Sequence, residues 1–120
     1  TLLANGAILE FQEKSRKAFL GSENPDGTRT SGYVDLRGVD AVDAHSDYEL
    51  NVNQTFKDII GNLDPAVKAK ALLRMNEIRQ TYLNRGAVHR VKEADYADTQ
   101  ARAWAFQEAK KEFTLDTERG

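Results

Sequence analysis

The sequence predicts an all-α protein, an antiparallel four-helix bundle with a long irregular connection after its first helix. Three observations carry that expectation. Apolar residues recur at spacings of three and four in four separate stretches, the pattern of amphipathic helices. The connections after residue 46 are short, which makes successive helices antiparallel neighbours. Residues with strong turn preference, such as Gly21, Pro25, Gly61, Pro65 and Gly86, fall near the boundaries of those stretches. A chain of 120 residues forms one domain, 1–120, with a single core.

The first helix is expected over residues 2–20, where Ala4, Ile8, Phe11, Ser15 and Ala18 form a stripe that Ala7 and Phe19 widen. Gly6 weakens its first turn by about 1 kcal/mol relative to alanine. Gly21 can cap it, and Pro25-Asp26-Gly27 supplies a tight turn. Residues 21–46 are expected to be irregular, with a helical turn or two. Val39 and Ala41 fit strand alternation, whereas Leu36, Val39 and Val42 fit a short helix, and frequent Asp, Gly and Ser argue against a long element.

A second helix is expected over 47–61. "GNLDP" at 61–65 then reads as a stop followed by a start. Gly61 can take the left-handed conformation that ends a helix. The Asp64 side chain can accept hydrogen bonds from the next free amides, and Pro65 at the first helical position sacrifices no hydrogen bond. The third helix, 65–85, buries Val67, Ala71, Met75, Ile78 and Tyr82, and Gly86 ends it. The fourth, 89–114, carries Val91, Ala94, Ala97, Ala101, Ala105, Ala109 and Phe113 along one side. Its small alanines would let a neighbour approach closely, with Trp104 and Phe106 filling space at the flanks.

Composition narrows the function classes. Hydrophobic residues at 40% and charged residues at 30% suit a well-solvated globular domain. No run approaches the roughly 18 apolar residues of a membrane helix. Without cysteine, disulfides, thiolate metal sites and thiol catalysis are excluded. With no signal-like segment at its start, the chain is expected to be an excised segment or a mature protein already stripped of its targeting sequence. "Asn53-Gln54-Thr55" fits the glycosylation acceptor triplet, a pattern common by chance.

Net charge is only −2, but it is segregated. Residues 21–63 hold eight acidic and three basic side chains; residues 64–87 hold two acidic and five basic ones. The two segments can neutralise each other within the fold or steer one face toward a charged partner. Lys68, Lys70, Arg74, Arg79, Arg85 and Arg90 wind around the helix without forming one stripe, so no nucleic-acid partner is expected.

The densest candidate for chemistry is "DAVDAHSDYE", with Asp40, Asp43, His45, Asp47 and Glu49. Tyr48 stands where a calcium loop needs glycine, and His45 occupies an oxygen-ligand position. A solvated acidic loop with helix-capping aspartates is expected, with a weak divalent-ion site on Asp40, Asp43, Asp47 and Glu49 as the alternative. His45 and His89 are far apart in the chain, and Ser46 beside His45 makes no triad. No enzyme activity, metal or cofactor is therefore expected.

One family resemblance runs through the helix stop and start. "Thr55-Phe56…Ile59…Asn62-Leu63-Asp64…Ala66…Lys68…Lys70" resembles the helix of the Q-type extrinsic proteins of photosystem II, the PsbQ-like family and its algal relatives. "Tyr33-Val34-Asp35-Leu36-Arg37" is similar to that family's Tyr-Val…Asp-Leu-Arg segment, and "Asp47…Leu50-Asn51" to its Asp-Leu-Asn. "Tyr82-Leu83" falls within the region of its last helix. The resemblance covers about a third of the chain and implies a four-helix bundle in the thylakoid lumen of the chloroplast. It implies a non-enzymatic subunit, peripheral to the membrane, that docks on the photosystem II core beside other extrinsic subunits. There it would help retain the calcium and chloride of the oxygen-evolving centre. Lys68, Lys70 and Arg74 are then the residues expected to meet an acidic partner. "Gln100-Ala101-Arg102-Ala103-Trp104-Ala105-Phe106" is similar to a segment of small lysozyme-inhibitor-type domains. That resemblance implies, as an alternative, a secreted or periplasmic helical inhibitor or interaction module.

Overall fold

A computed structural model describes the chain over residues 2–119. Among these residues the elements are α1 (Leu2–Leu20), β1 (Ser22–Glu23), β2 (Arg29–Thr30), a 3₁₀ turn (Tyr33–Asp35), α2 (Val39–Gly61) and α3 (Pro65–Arg119). The all-α expectation stands in its coarse form, because three long helices account for most of the chain and the sheet is a two-stranded hairpin.

α1 forms where the periodicity predicted it. Ala4, Ala7, Phe11, Ser15 and Phe19 are its buried residues, and Phe11 meets Phe56 of α2 edge to face at 5.6 Å. Gly21 ends the helix with φ 81°. A side chain there would also collide with the Thr30 carbonyl, because the hairpin folds back directly on the helix end. The hairpin pairs Ser22 with Thr30 and Glu23 with Arg29. The turn expected at Pro25-Asp26-Gly27 closes it, with the Asp26 carboxylate accepting from the Thr28 amide at 2.9 Å and from the Thr28 hydroxyl at 2.6 Å. Arg29 then ties the hairpin down, donating to the Leu20 carbonyl and to the Asp35 carboxylate.

α2 begins at Val39, eight residues before the expected start at 47, so the irregular stretch ends at 38. The aspartates that argued against a helix are the reason it is tolerated. Asp40, Asp43 and Asp47 lie at spacings of three and four on the solvated side, and Asp40 sits in the first turn, where the helix dipole favours an acid. The opposite side carries buried Ala41, Tyr48, Val52, Phe56, Ile59 and Ile60.

The stop and start at 61–65 is present, but its chemistry differs from expectation. Gly61 is the last helical residue and does not take a positive φ. Instead the end tightens through Asn62 (φ −92°, ψ 0°), with the Asn62 and Leu63 amides reaching the Ile59 and Ile60 carbonyls at 3.2 Å. The Asp64 backbone carbonyl, not its carboxylate, engages the new helix, accepting from the Lys68 amide at 2.8 Å.

The larger correction concerns Gly86. It does not end a helix at 85, and 65–85 and 89–114 are not two elements: α3 runs unbroken through 55 residues. Gly86 is buried against the Tyr48 ring, so its missing side chain serves close packing of α2 on α3. At about 1.5 Å per residue such a helix is roughly 80 Å long, and it sets the 81 Å long axis of the molecule.

α1, α2 and residues 65–97 of α3 build the core. Ala71, Met75, Ile78 and Tyr82 of α3 are buried in it as expected, with Val67 partly so. With 19 and 23 residues, α1 and α2 are too short to accompany α3 beyond that point.

Candidate functional site

Two regions invite a functional reading. The first is polar and lies where the chain from Tyr33 to Ala41 crosses α3. Tyr33 stacks on Tyr48 with centroids 4.7 Å apart, and its hydroxyl donates to the Ala41 carbonyl at 2.6 Å. The two histidines, distant in sequence, both lie against the Tyr33 ring, His89 at 5.2 Å and His45 at 5.9 Å. Buried His89 donates from Nε2 to the Leu36 carbonyl at 2.9 Å.

One turn further along α3, Glu93 is only 3% exposed and accepts from the Gly38 amide at 3.1 Å, with Arg37 at 3.7 Å. Gly38 has φ 56° and is the residue that opens α2. Burial raises the pKa of the Tyr33 and Tyr48 hydroxyls above that of free tyrosine, which keeps both protonated as donors. Tyr33, Tyr48, His89 and Glu93 thus each have a backbone partner in the 33–41 segment or in α3, whereas His45 Nε2 is buried without a hydrogen-bond partner. The cluster fastens that segment across α3, and the fastening is tertiary: nothing in the sequence places His45 and His89 against one tyrosine ring.

The expected site residues lie elsewhere. Lys68, Lys70 and Arg74 are exposed near the start of α3, at the end of the bundle away from the hairpin. Lys70 and Arg74, four residues apart, share one face, and Lys68 points to another. Arg74 is paired with Glu77 at 3.2 Å. Arg79 is committed inside the fold, its guanidinium 4.1 Å from the Phe56 ring centroid. The acidic run 40–49 is helix, not loop, and among the described residues no group of three His, Cys, Asp or Glu side chains could hold a metal ion. His45 instead faces Glu49, one turn on, at 3.3 Å.

The second region is the outer part of α3. Beyond Ala97 every residue through Phe113 is exposed except Glu108, which is half-buried. Trp104 and Phe106 are each 68% exposed, and Ala101, Ala105, Ala109 and Phe113 are exposed with them. The expectation that Trp104 and Phe106 fill space beside a neighbouring helix is therefore not met within one chain, because α3 outruns α1 and α2. What the sequence marks as a buried alanine stripe is a helical arm presented to its surroundings. Among the described residues no helix is long and apolar enough to cross a membrane. Compared with known protein families, with characterised proteins and with solved structures, the chain matches none.

Proposed function

We propose that this protein is a non-enzymatic docking module: a three-helix head that holds one long helix and offers its outer part to a partner. The observation that supports this reading is the arm itself, where Trp104 and Phe106 are two-thirds exposed in a helix otherwise rich in alanine. Trp104 and Phe106 lie two positions apart, on different sides of the helix, and tryptophan is prominent among residues that dominate binding energy. The four-helix packing implied by the sequence is then completed between molecules and not within one.

The resemblance to the Q-type extrinsic proteins supplies the receiving surface in this proposal. The module docks on the lumenal face of photosystem II and supports calcium and chloride retention, with Lys68, Lys70 and Arg74 meeting an acidic surface. Reconstitution with salt-washed photosystem II membranes tests it. The chain should co-sediment with the membranes, be released by high salt and raise oxygen evolution when calcium and chloride are limiting. Trp104→Ala with Phe106→Ala should weaken binding at least tenfold. Failure of the intact chain to co-sediment would remove photosystem II as the partner.

A second reading rests on the exposure of Gln100–Phe106, the segment similar to lysozyme-inhibitor-type domains. A lysozyme activity assay separates the two: dose-dependent inhibition lost on Trp104→Ala would favour the inhibitor, and unchanged activity would eliminate it.

A further inference from the structure

We infer that the arm's partner includes a second copy of this chain, and that two arms pair antiparallel over residues 94–111. The inference deepens the docking reading and rests on it. The face of α3 that packs on the head runs through Tyr82, Gly86, His89 and Glu93. At helical spacing the same face continues through Ala94 and Ala97, half-buried at the foot of the arm, and then through Ala101, Trp104, Glu108 and Lys111. Its first half holds three alanines and its second half three bulky side chains. Antiparallel pairing about a two-fold axis between residues 102 and 103 sets each bulky residue against an alanine. Trp104 meets Ala101 of the second copy, Glu108 meets its Ala97, and Lys111 meets its Ala94. Such self-complementarity is what an isologous interface requires.

Charge selects the same orientation. Residues 94–101 carry two acids, Asp95 and Asp98, and no base, whereas residues 102–111 carry three bases, Arg102, Lys110 and Lys111, against one acid, Glu108. Antiparallel pairing brings the acidic half onto the basic half; parallel pairing brings like onto like.

The surface to be covered is also sufficient. A compact monomer of 13.4 kDa exposes roughly 6,500 Å², whereas this chain exposes 8403 Å². The excess is larger than the roughly 800 Å² that each partner contributes to a standard interface.

The chain has one tryptophan and no cysteine, which makes the test direct. Sedimentation of the intact protein should show twice the 13.4 kDa chain mass as concentration rises, with Trp104 emission moving to shorter wavelength over the same range. Ala101→Trp should raise the dissociation constant by about tenfold or more, because it sets bulk against bulk. Combining it with Trp104→Ala exchanges the large and small positions and should restore the dimer. A mixture of Ala94→Cys and Lys111→Cys chains should form a disulfide between unlike chains, and neither variant alone should cross-link.

A chain that stays monomeric at every concentration overturns the inference. So does a dimer indifferent to Ala101→Trp, or one in which Ala94→Cys cross-links to itself. The docking reading is judged separately: a monomer that still binds photosystem II membranes retains it, and a dimer that does not bind them leaves only self-association.

Discussion

At position 86 a missing side chain lets two helices meet. A Cβ on Gly86 would fall inside the van der Waals surface of the Tyr48 ring, which is buried, stacked on Tyr33 and anchored by its hydroxyl to the Tyr82 carbonyl at 2.8 Å. Gly86→Ala would gain about 1 kcal/mol in helix propensity, but displacing that ring costs more. The variant should be net less stable by about 1–3 kcal/mol in denaturant unfolding. At exposed Gly6, where a Cβ meets nothing within 4 Å, the same change should stabilise. Asp35 illustrates the electrostatic side. Its carboxyl is held below the usual carboxylate range, first by the Gly32 amide and then by the Arg29 guanidinium. A depressed folded-state value means that its contribution is complete above the ordinary carboxylate value and is lost as pH falls through the depressed one. The stability difference between the protein and Asp35→Asn should therefore be constant near neutrality. It should shrink below about pH 4, as acid titration of the unfolding midpoint would show.

Among the elements, the first turn of α2 is tied to α3 by a buried carboxylate. Glu93 accepts the Gly38 amide where α2 opens, so it joins a helix start to the middle of another helix. Glu93→Ala leaves that buried donor without a partner and should cost about 1–3 kcal/mol, whereas Glu93→Gln keeps an oxygen acceptor and should cost less. Hydrogen exchange in the first turn of α2 should quicken in the same order. Neither this contact nor the Tyr33–His45–His89 grouping was legible in the sequence, because each joins residues brought together only by the tertiary fold. What was legible was local. The stripe of Phe11 and Ser15 located α1, the run Gly61-Asn62-Leu63-Asp64-Pro65 located the turn, and Pro25-Asp26-Gly27 located the hairpin bend. The misreadings have local causes too. Asp40, Asp43 and Asp47 look like loop until their common solvated side is counted, and Gly86 looks like a helix end until Tyr48 is beside it. The alanines from 94 to 109 have the same periodicity whether a neighbour covers them or not, so spacing alone could not show that the neighbour is absent from the chain.

The whole molecule is far from compact, with a radius of gyration of 21.7 Å where roughly 13.6 Å is usual for 120 residues. The arm is the cause, and it is held in helix by continuity with the head and by short-range pairs. Asp98–Arg102 at 2.9 Å and Glu108–Lys111 at 3.5 Å are such pairs, each worth only about 0.2–0.5 kcal/mol. A helical segment of this length without tertiary contacts is marginal in water, so helix beyond Ala97 should depend on what covers it. Dilution should then lower far-ultraviolet ellipticity and shift Trp104 emission to longer wavelength together. The near-ultraviolet signal of Tyr33, Tyr48 and Tyr82, buried in the head, should not change. Temperature should separate the same two parts. The arm should lose ellipticity gradually and earlier, with a midpoint that rises with protein concentration. The head should unfold later in one cooperative step, since its three helices share one core. A single concentration-independent transition in both signals would show that the arm owes its order to the head alone, without any contribution from a second copy.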